Sequence, residues 1–360
     1  MQNEYDISSY DFELPQELIA QHPLRQRSSS RLLLLDKTSG ETWDCSFSDL
    51  PGLLPKGALL VRNVSRVFPA RLVGYKAHTK GRVEFLLTTP LALLKAQPHA
   101  AGWTQAQVEG LFRPAKGLAE GQRIEISSQL ELEVLHKNGQ GQMQARLLWQ
   151  GDLLDLLHRQ AELPLPPYIK RQAQGNDYER YQTVYSSQAK TGSVAAPTAG
   201  LHFDQAVMRR LQEQGFAWAD INLYVGPGTF SPLRQQDIRE HSMHAEYVEI
   251  EAQEAEKIEA ARQEGRPVLA VGTTCVRALE SVVRSWGRIK AFAGWSDLFI
   301  YPGFEFQVVN HILTNFHLPR SSLLLMVSAF AGRQNILSAY QQAVQKGYRF
   351  FSYGDCMLIL

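Results

Sequence analysis

Side chains able to do chemistry cluster in a few short stretches punctuated by Gly and Pro. In Val194-Ala195-Ala196-Pro197-Thr198-Ala199-Gly200-Leu201-His202-Phe203, the imidazole of His202 stands just ahead of a helix. Asp204 is a good N-cap there, and Val207, Met208 and Leu211 recur at helical spacing until Gly215 ends the run. A helix N-terminus presents unpaired N–H groups and a positive dipole end, and Ala and Gly let a ligand approach the backbone. The alternative is a tight structural turn, because most Gly/Pro turns carry no chemistry.

A second stretch, Val268-Leu269-Ala270-Val271-Gly272-Thr273-Thr274-Cys275-Val276-Arg277, is a buried strand turning through Gly into a helix whose first turn carries two hydroxyls. Such a terminus accepts a carboxylate or phosphate, with Arg277 one turn further in; plain capping by Thr273 or Thr274 is the bland reading. Cys275 reads as a small core residue rather than a nucleophile. His241-Ser242-Met243-His244 with Glu246 could begin a metal site, yet no spacing supplies a third ligand, so no metal is expected. Tyr224-Val225-Gly226-Pro227-Gly228-Thr229-Phe230 is a glycine-rich turn after a strand, without the lysine of a P-loop. Thr314-Asn315-Phe316-His317-Leu318-Pro319 sets three polar side chains before a proline and a long helix.

The elements that position these stretches are of two textures. From 70 to 149 short segments alternate in polarity: Arg71 to Tyr75, Val83 to Thr88, Gln105 to Phe112, Arg123 to Ser127, Glu131 to His136 and Gln142 to Trp149. With Asn138-Gly139 as a hairpin signal, they predict a small barrel or sandwich inserted into a larger domain. Leu163-Pro164-Leu165-Pro166-Pro167-Tyr168 is an extended connector leading back. Elsewhere strands (58–61, 222–225, 247–250, 268–271, 298–300, 357–360) alternate with helices (253–264, 275–285, 323–331, 334–344), which is α/β texture. The expectation is an α/β catalytic domain of 1–64 and 151–360, interrupted by a β-barrel domain of 65–150.

The chain of 360 residues is 44% hydrophobic and carries 37 Lys and Arg against 36 Asp and Glu, an ordinary globular composition of net charge +1. Charge is nonetheless segregated: Arg62, Arg66, Arg71, Lys76, Lys80 and Arg82 occur without an acid between them, whereas Glu246 to Glu264 is acidic. Cys45, Cys275 and Cys356 are too scattered for a disulfide framework or a four-cysteine zinc site. With no apolar run of membrane length and a polar N-terminus, the expectation is a soluble cytoplasmic monomer. From the residues alone, the first reading is an α/β enzyme acting on a nucleoside-like molecule. An RNA-binding module without catalysis is the second, and a methyltransferase is disfavoured for want of G-x-G-x-x-G after the first strand.

Taken together and in order, these stretches resemble the S-adenosylmethionine:tRNA ribosyltransferase-isomerase (QueA) family of queuosine biosynthesis. Ser30-Arg31-Leu32-Leu33, Pro69-Ala70-Arg71-Leu72, Pro164 to Tyr168, Tyr181-Gln182-Thr183-Val184-Tyr185, Ala195 to Phe203, Val225 to Phe230, Glu240 to Glu246, Gly272 to Arg277, Thr314 to Pro319 and Ser352-Tyr353-Gly354-Asp355 carry the resemblance. Tyr224, Val64 and Asn310 depart from it, standing where His, Asp and Asp are usual.

The resemblance implies an α/β domain with an inserted barrel, and transfer of the ribosyl part of S-adenosylmethionine to the aminomethyl group of a 7-deazaguanine base at the tRNA wobble position. Epoxyqueuosine, adenine and methionine are the products, and S-adenosylmethionine is a consumed substrate, so no cofactor is implied. The sulfonium acidifies neighbouring ribose C–H bonds and adenine leaves once protonated, so a base and an acid are needed. His202 and His317 are the catalytic candidates, with His244 and Glu246 in reserve. Thr198, Gly200, Gly228, Thr229, Thr273, Thr274, Arg277 and Asn315 are candidate substrate-binding residues. Of these, Thr273, Thr274 and Arg277 are expected to meet the methionine carboxylate or an RNA phosphate. Arg62, Arg66, Arg71, Lys76 and Lys80 are candidates for a tRNA track.

Overall fold

The computed structural model describes residues 3–137, 142–226, 228, 233 and 235–360. Four strands at its centre are parallel neighbours: Ala217–Tyr224, Leu59–Asn63, Val268–Val271 and His311–Asn315. Their sequences explain the burial. Along Leu59–Asn63 and Val268–Val271 successive side chains go to opposite faces, and both faces are covered. Val61, Val268 and Ala270 pack with Ile258, Val276 and Leu279 of the helices Ala252–Gln263 and Thr273–Trp286. Leu60, Leu269 and Val271 pack on the other face with Phe203, Val207 and Leu211. Cys356–Ile359, Arg31–Leu35 and Thr42–Ser46 extend the sheet on one side, and Glu246–Ile250 with Phe292–Ser296 on the other, to nine strands.

The second sheet is all antiparallel. Arg71–Lys76, Arg82–Leu87, Thr104–Arg113, Gln142–Trp149, Leu130–Lys137 and Arg123–Ser127 pair in that cyclic order and close into a six-stranded barrel. Closure removes the exposed edges that six short strands would otherwise leave. The hairpin signal Asn138-Gly139 lies outside the described residues, and the strands flanking it pair antiparallel.

Several elements differ from the sequence reading. The residues just before the connector form elements that the sequence reading did not assign: the helix Leu153–Gln160 buries Leu156 and Leu157 in the barrel core, and Ala161–Glu162 pairs with Leu72 and Arg71. No strand forms at 298–300; the edge strand is Phe292–Ser296, where a central glycine and the absence of alternation hid it. The strand expected at 222–225 starts at Ala217. His311–Asn315 was not anticipated, because a five-residue strand with polar residues at both ends gives neither an apolar run nor an alternation.

Candidate active site

Because the four central strands are parallel, their carboxyl ends meet at one edge of the sheet, and the crevice outside that edge is where α/β sheets hold ligands. Val225 follows one strand, Gly272 to Thr274 the second, and Thr314 to Pro319 includes the end of the third; all line a single pocket. Pro197, Thr198, Tyr168 and Ser352 complete its wall. The cavity is small, about 60 Å³.

Asn315 is its best-positioned polar group. The amide nitrogen donates to His202 Nε2 at 3.1 Å and to the Phe351 carbonyl at 2.9 Å. Those bonds fix the orientation of the amide and leave Oδ1 buried without a hydrogen-bond partner among the described residues. Thr274 Oγ1, also buried against the pocket, is likewise unpartnered. Unsatisfied buried oxygens cost about 1–3 kcal/mol each; the amide Oδ1 can only accept, whereas the Thr274 hydroxyl can donate or accept. His317 lines the same pocket, with Nε2 at 2.9 Å from Thr314 Oγ1.

His202 sits behind Asn315 rather than in the pocket wall. With Nε2 accepting from Asn315, the proton is on Nδ1, which donates to Ser30 Oγ at 2.7 Å. Both ring nitrogens are therefore occupied, and the ring packs on Phe47 with centroids 5.3 Å apart. Burial pushes the His202 pKa down to about 4 and that of His317 to about 3, so both rings are neutral near pH 7.

Other candidates lie elsewhere. Arg277 does not reach the pocket: its guanidinium forms a buried ion pair with Glu246 and donates to the carbonyls of Leu298, His244 and Ser296. Glu246 also accepts the Gly226 N–H at 3.0 Å, so the pair holds the loop after a central strand. Arg277, expected to take a ligand carboxylate, and Glu246, expected as a catalytic reserve, thus neutralise each other in the interior. Gly200 serves packing, since a Cβ there would fall 2.1 Å from Tyr185 Oη. Gly228 lies against His244, where a Cβ would come within 2.5 Å of Cδ2, and both border a separate cleft. Thr229 is outside the described residues. Cys275 is buried, its thiol donating to the Val271 carbonyl, and burial raises its pKa well above the usual value. Among the described residues no group of three or more His, Cys, Asp or Glu side chains could hold a metal ion.

A family model described as queuosine biosynthesis protein matches residues 7–359. This chain belongs to that family. One relative, the S-adenosylmethionine:tRNA ribosyltransferase-isomerase of Oleidesulfovibrio alaskensis, is 54% identical over 99% of this chain and 94% of its own length. That of Natranaerobius thermophilus is 45% identical over 98% of this chain and 99% of its own. The crystal structure of S-adenosylmethionine tRNA ribosyltransferase from Thermotoga maritima, 32% identical, covers 98% of this chain and 100% of its own with a TM-score of 0.54.

In this member of the queuosine biosynthesis family each basic residue near the barrel junction has a partner within the chain. Arg62 is paired with Asp220 at 2.6 Å and stacked on Tyr185 and Trp218, so its charge is already neutralised. Arg66 bonds Ser186, Arg71 the Leu165 carbonyl, Lys76 the Gly117 carbonyl, and Lys80 pairs with Glu125. Arg71 and Lys76 share a strand but lie roughly 17 Å apart and point to opposite faces. Of the departures from the family pattern, Asn310 accepts the Val268 N–H at 2.8 Å, Val64 is buried, and Tyr224 is buried with its hydroxyl unpartnered. The pocket residues Tyr168, Ser352 and Ser321 were not singled out from the sequence, whereas Thr314 belongs to the polar stretch that was. Tyr168 and Ser352 fall in segments that carry the family resemblance, which was the one available signal.

Proposed function

We infer that this chain is an S-adenosylmethionine:tRNA ribosyltransferase-isomerase that builds epoxyqueuosine on the wobble base of tRNA, releasing adenine and methionine. Membership of the family along almost the whole chain supports the reading. The observation that carries it to a site is the convergence of Asn315, Thr274 and His317 at the carboxyl edge of the parallel strands, with the Asn315 and Thr274 side-chain oxygens buried and unpartnered. Those oxygens suit the N–H groups of adenine or of the incoming amine.

His317 is the side chain we place as proton acceptor, because it alone of the two candidate imidazoles lines the pocket. His202 positions Asn315. The sulfonium itself supplies the activation, so the reaction as proposed needs no cofactor. An adenosyl group has far more volume than the few waters that about 60 Å³ admits, so binding has to displace rim side chains. No helix among the described residues is long and apolar enough to cross a membrane, and we place the enzyme with its tRNA in the cytoplasm.

The deciding experiment mixes protein, S-adenosylmethionine and tRNA bearing the aminomethyl precursor. Adenine and methionine should appear in equal amounts as the RNA gains mass; a methyltransferase would release no adenine. His317→Ala should lower turnover at least about a hundredfold with an unchanged circular-dichroism spectrum. Full activity in that variant would remove His317 from the chemistry.

A further inference from the structure

Across Val225 from the pocket lies a far larger cavity, a cleft of about 1040 Å³ between the outer face of the barrel and the edge of the nine-stranded sheet. One strand end serves both spaces: Val225 lines the pocket, whereas Tyr224 and Gly226 line the cleft.

One wall of the cleft is aromatic. Tyr224 is directly opposite Tyr247, and Tyr247 directly opposite Trp295, on three neighbouring antiparallel strands. Residues in that register project from the same face, and the ring centroids lie 6.5 and 5.4 Å apart. The row runs from a buried ring to an open one, for Trp295 is 58% exposed. A large indole on an edge strand, in a cleft of that size, is not explained by core packing.

The facing wall is amide. Alternation along the barrel strands turns Gln105, Gln107, Gln142 and Gln144 into the cleft, and Gln107 Nε2 donates to Gln144 Oε1 at 3.2 Å. Charge on the lining is balanced: Lys95 and Arg146 face Glu109 and Glu246, with Arg146 paired to Glu133 and Glu246 to Arg277. A channel for phosphates would be lined by surplus cations. An aromatic wall opposite a wall that both donates and accepts hydrogen bonds suits an uncharged planar solute, stacked on one side and bonded at its edge.

We propose that this cleft holds an unpaired anticodon-loop base adjacent to the one being modified, stacked on Trp295 and met at its edge by the barrel glutamines. The proposal rests on the reading of the chain as a tRNA-modifying enzyme. Loop bases are free to splay out and stack, and the shared strand end explains how one nucleotide can lie in the cleft while its neighbour reaches the pocket.

The test measures binding of an anticodon stem-loop RNA to wild type, Trp295→Ala and Trp295→Phe by fluorescence anisotropy over a range of salt concentrations. Melting temperatures serve as the control for folding. Loss of one stacked base predicts affinity weakened about tenfold to a hundredfold in Trp295→Ala, and near wild type in Trp295→Phe. Stacking releases no counterions, so plots of log affinity against log salt should stay parallel. Equal affinity of Trp295→Ala and wild type, or a loss that appears only as a changed salt slope, overturns the stacking site and leaves the proposed function standing. A wild-type protein that binds no stem-loop overturns the tRNA reading, and this inference with it.

Discussion

At the scale of single residues, the two histidines show how one residue type takes different work from its surroundings. His317 borders the pocket, while His202 commits both nitrogens to Ser30 and Asn315 and so decides which atom of the amide is left unpartnered. Burial depresses both pKa values from 6.5, to about 3 and about 4. Between pH 6.5 and those values the unfolded chain binds protons that the folded rings refuse. Stability is therefore full above pH 6.5 and falls as the pH drops, by at most about 1.4 kcal/mol per pH unit for each ring. His311, also held at about 4 by burial, adds to the slope from outside the pocket. Urea denaturation at pH 7 and pH 5 should show a smaller acid-induced loss in His317→Gln than in wild type. Equal losses would mean that the ring is not buried in its neutral form.

At the scale of elements, the ion pair of Arg277 and Glu246 ties the helix Thr273–Trp286 to the strand Glu246–Ile250 and, through Gly226, to the end of a third element. We predict that its removal changes stability rather than affinity for S-adenosylmethionine. Arg277→Met should cost about 3–5 kcal/mol, because it strands a buried carboxylate. Adding Glu246→Gln, which can still accept the Gly226 N–H, should recover part of that loss. Chemical denaturation of both single variants and the double variant measures the coupling. A Michaelis constant for S-adenosylmethionine raised in Arg277→Met, at unchanged stability, would return Arg277 to the binding site.

At the scale of the whole molecule, the barrel is closed by its own six strands but sealed by the helix Leu153–Gln160 and the short strand Ala161–Glu162. Leu156, Leu157 and Ala161 belong to its core, and Ala161–Glu162 completes its hydrogen bonding at Arg71 and Leu72. We therefore propose that the inserted unit runs from about residue 66 to 162. A fragment of 66–164 should melt cooperatively, whereas one ending at 150 should melt at lower temperature or not cooperatively; calorimetry distinguishes them. Indistinguishable melts would restore the shorter boundary.

The linear sequence determined most of the elements and the two textures that divide them. Period-two alternation in the barrel, the apolar runs at the starts of Leu59–Asn63 and Val268–Val271 and the Asp204 cap are local signals, and the structure obeys them. It also placed the polar loops whose pattern marks the family. What the tertiary structure alone decided is which polar groups are already satisfied. Arg277, Glu246, Arg62 and His202 carry the residue types of a working site, yet each is saturated by partners 31, 158 or more than 100 positions away in the chain. Asn315 Oδ1 and Thr274 Oγ1 are left wanting. Hydrogen-bond satisfaction depends on distance in space, and no spacing along the chain records it.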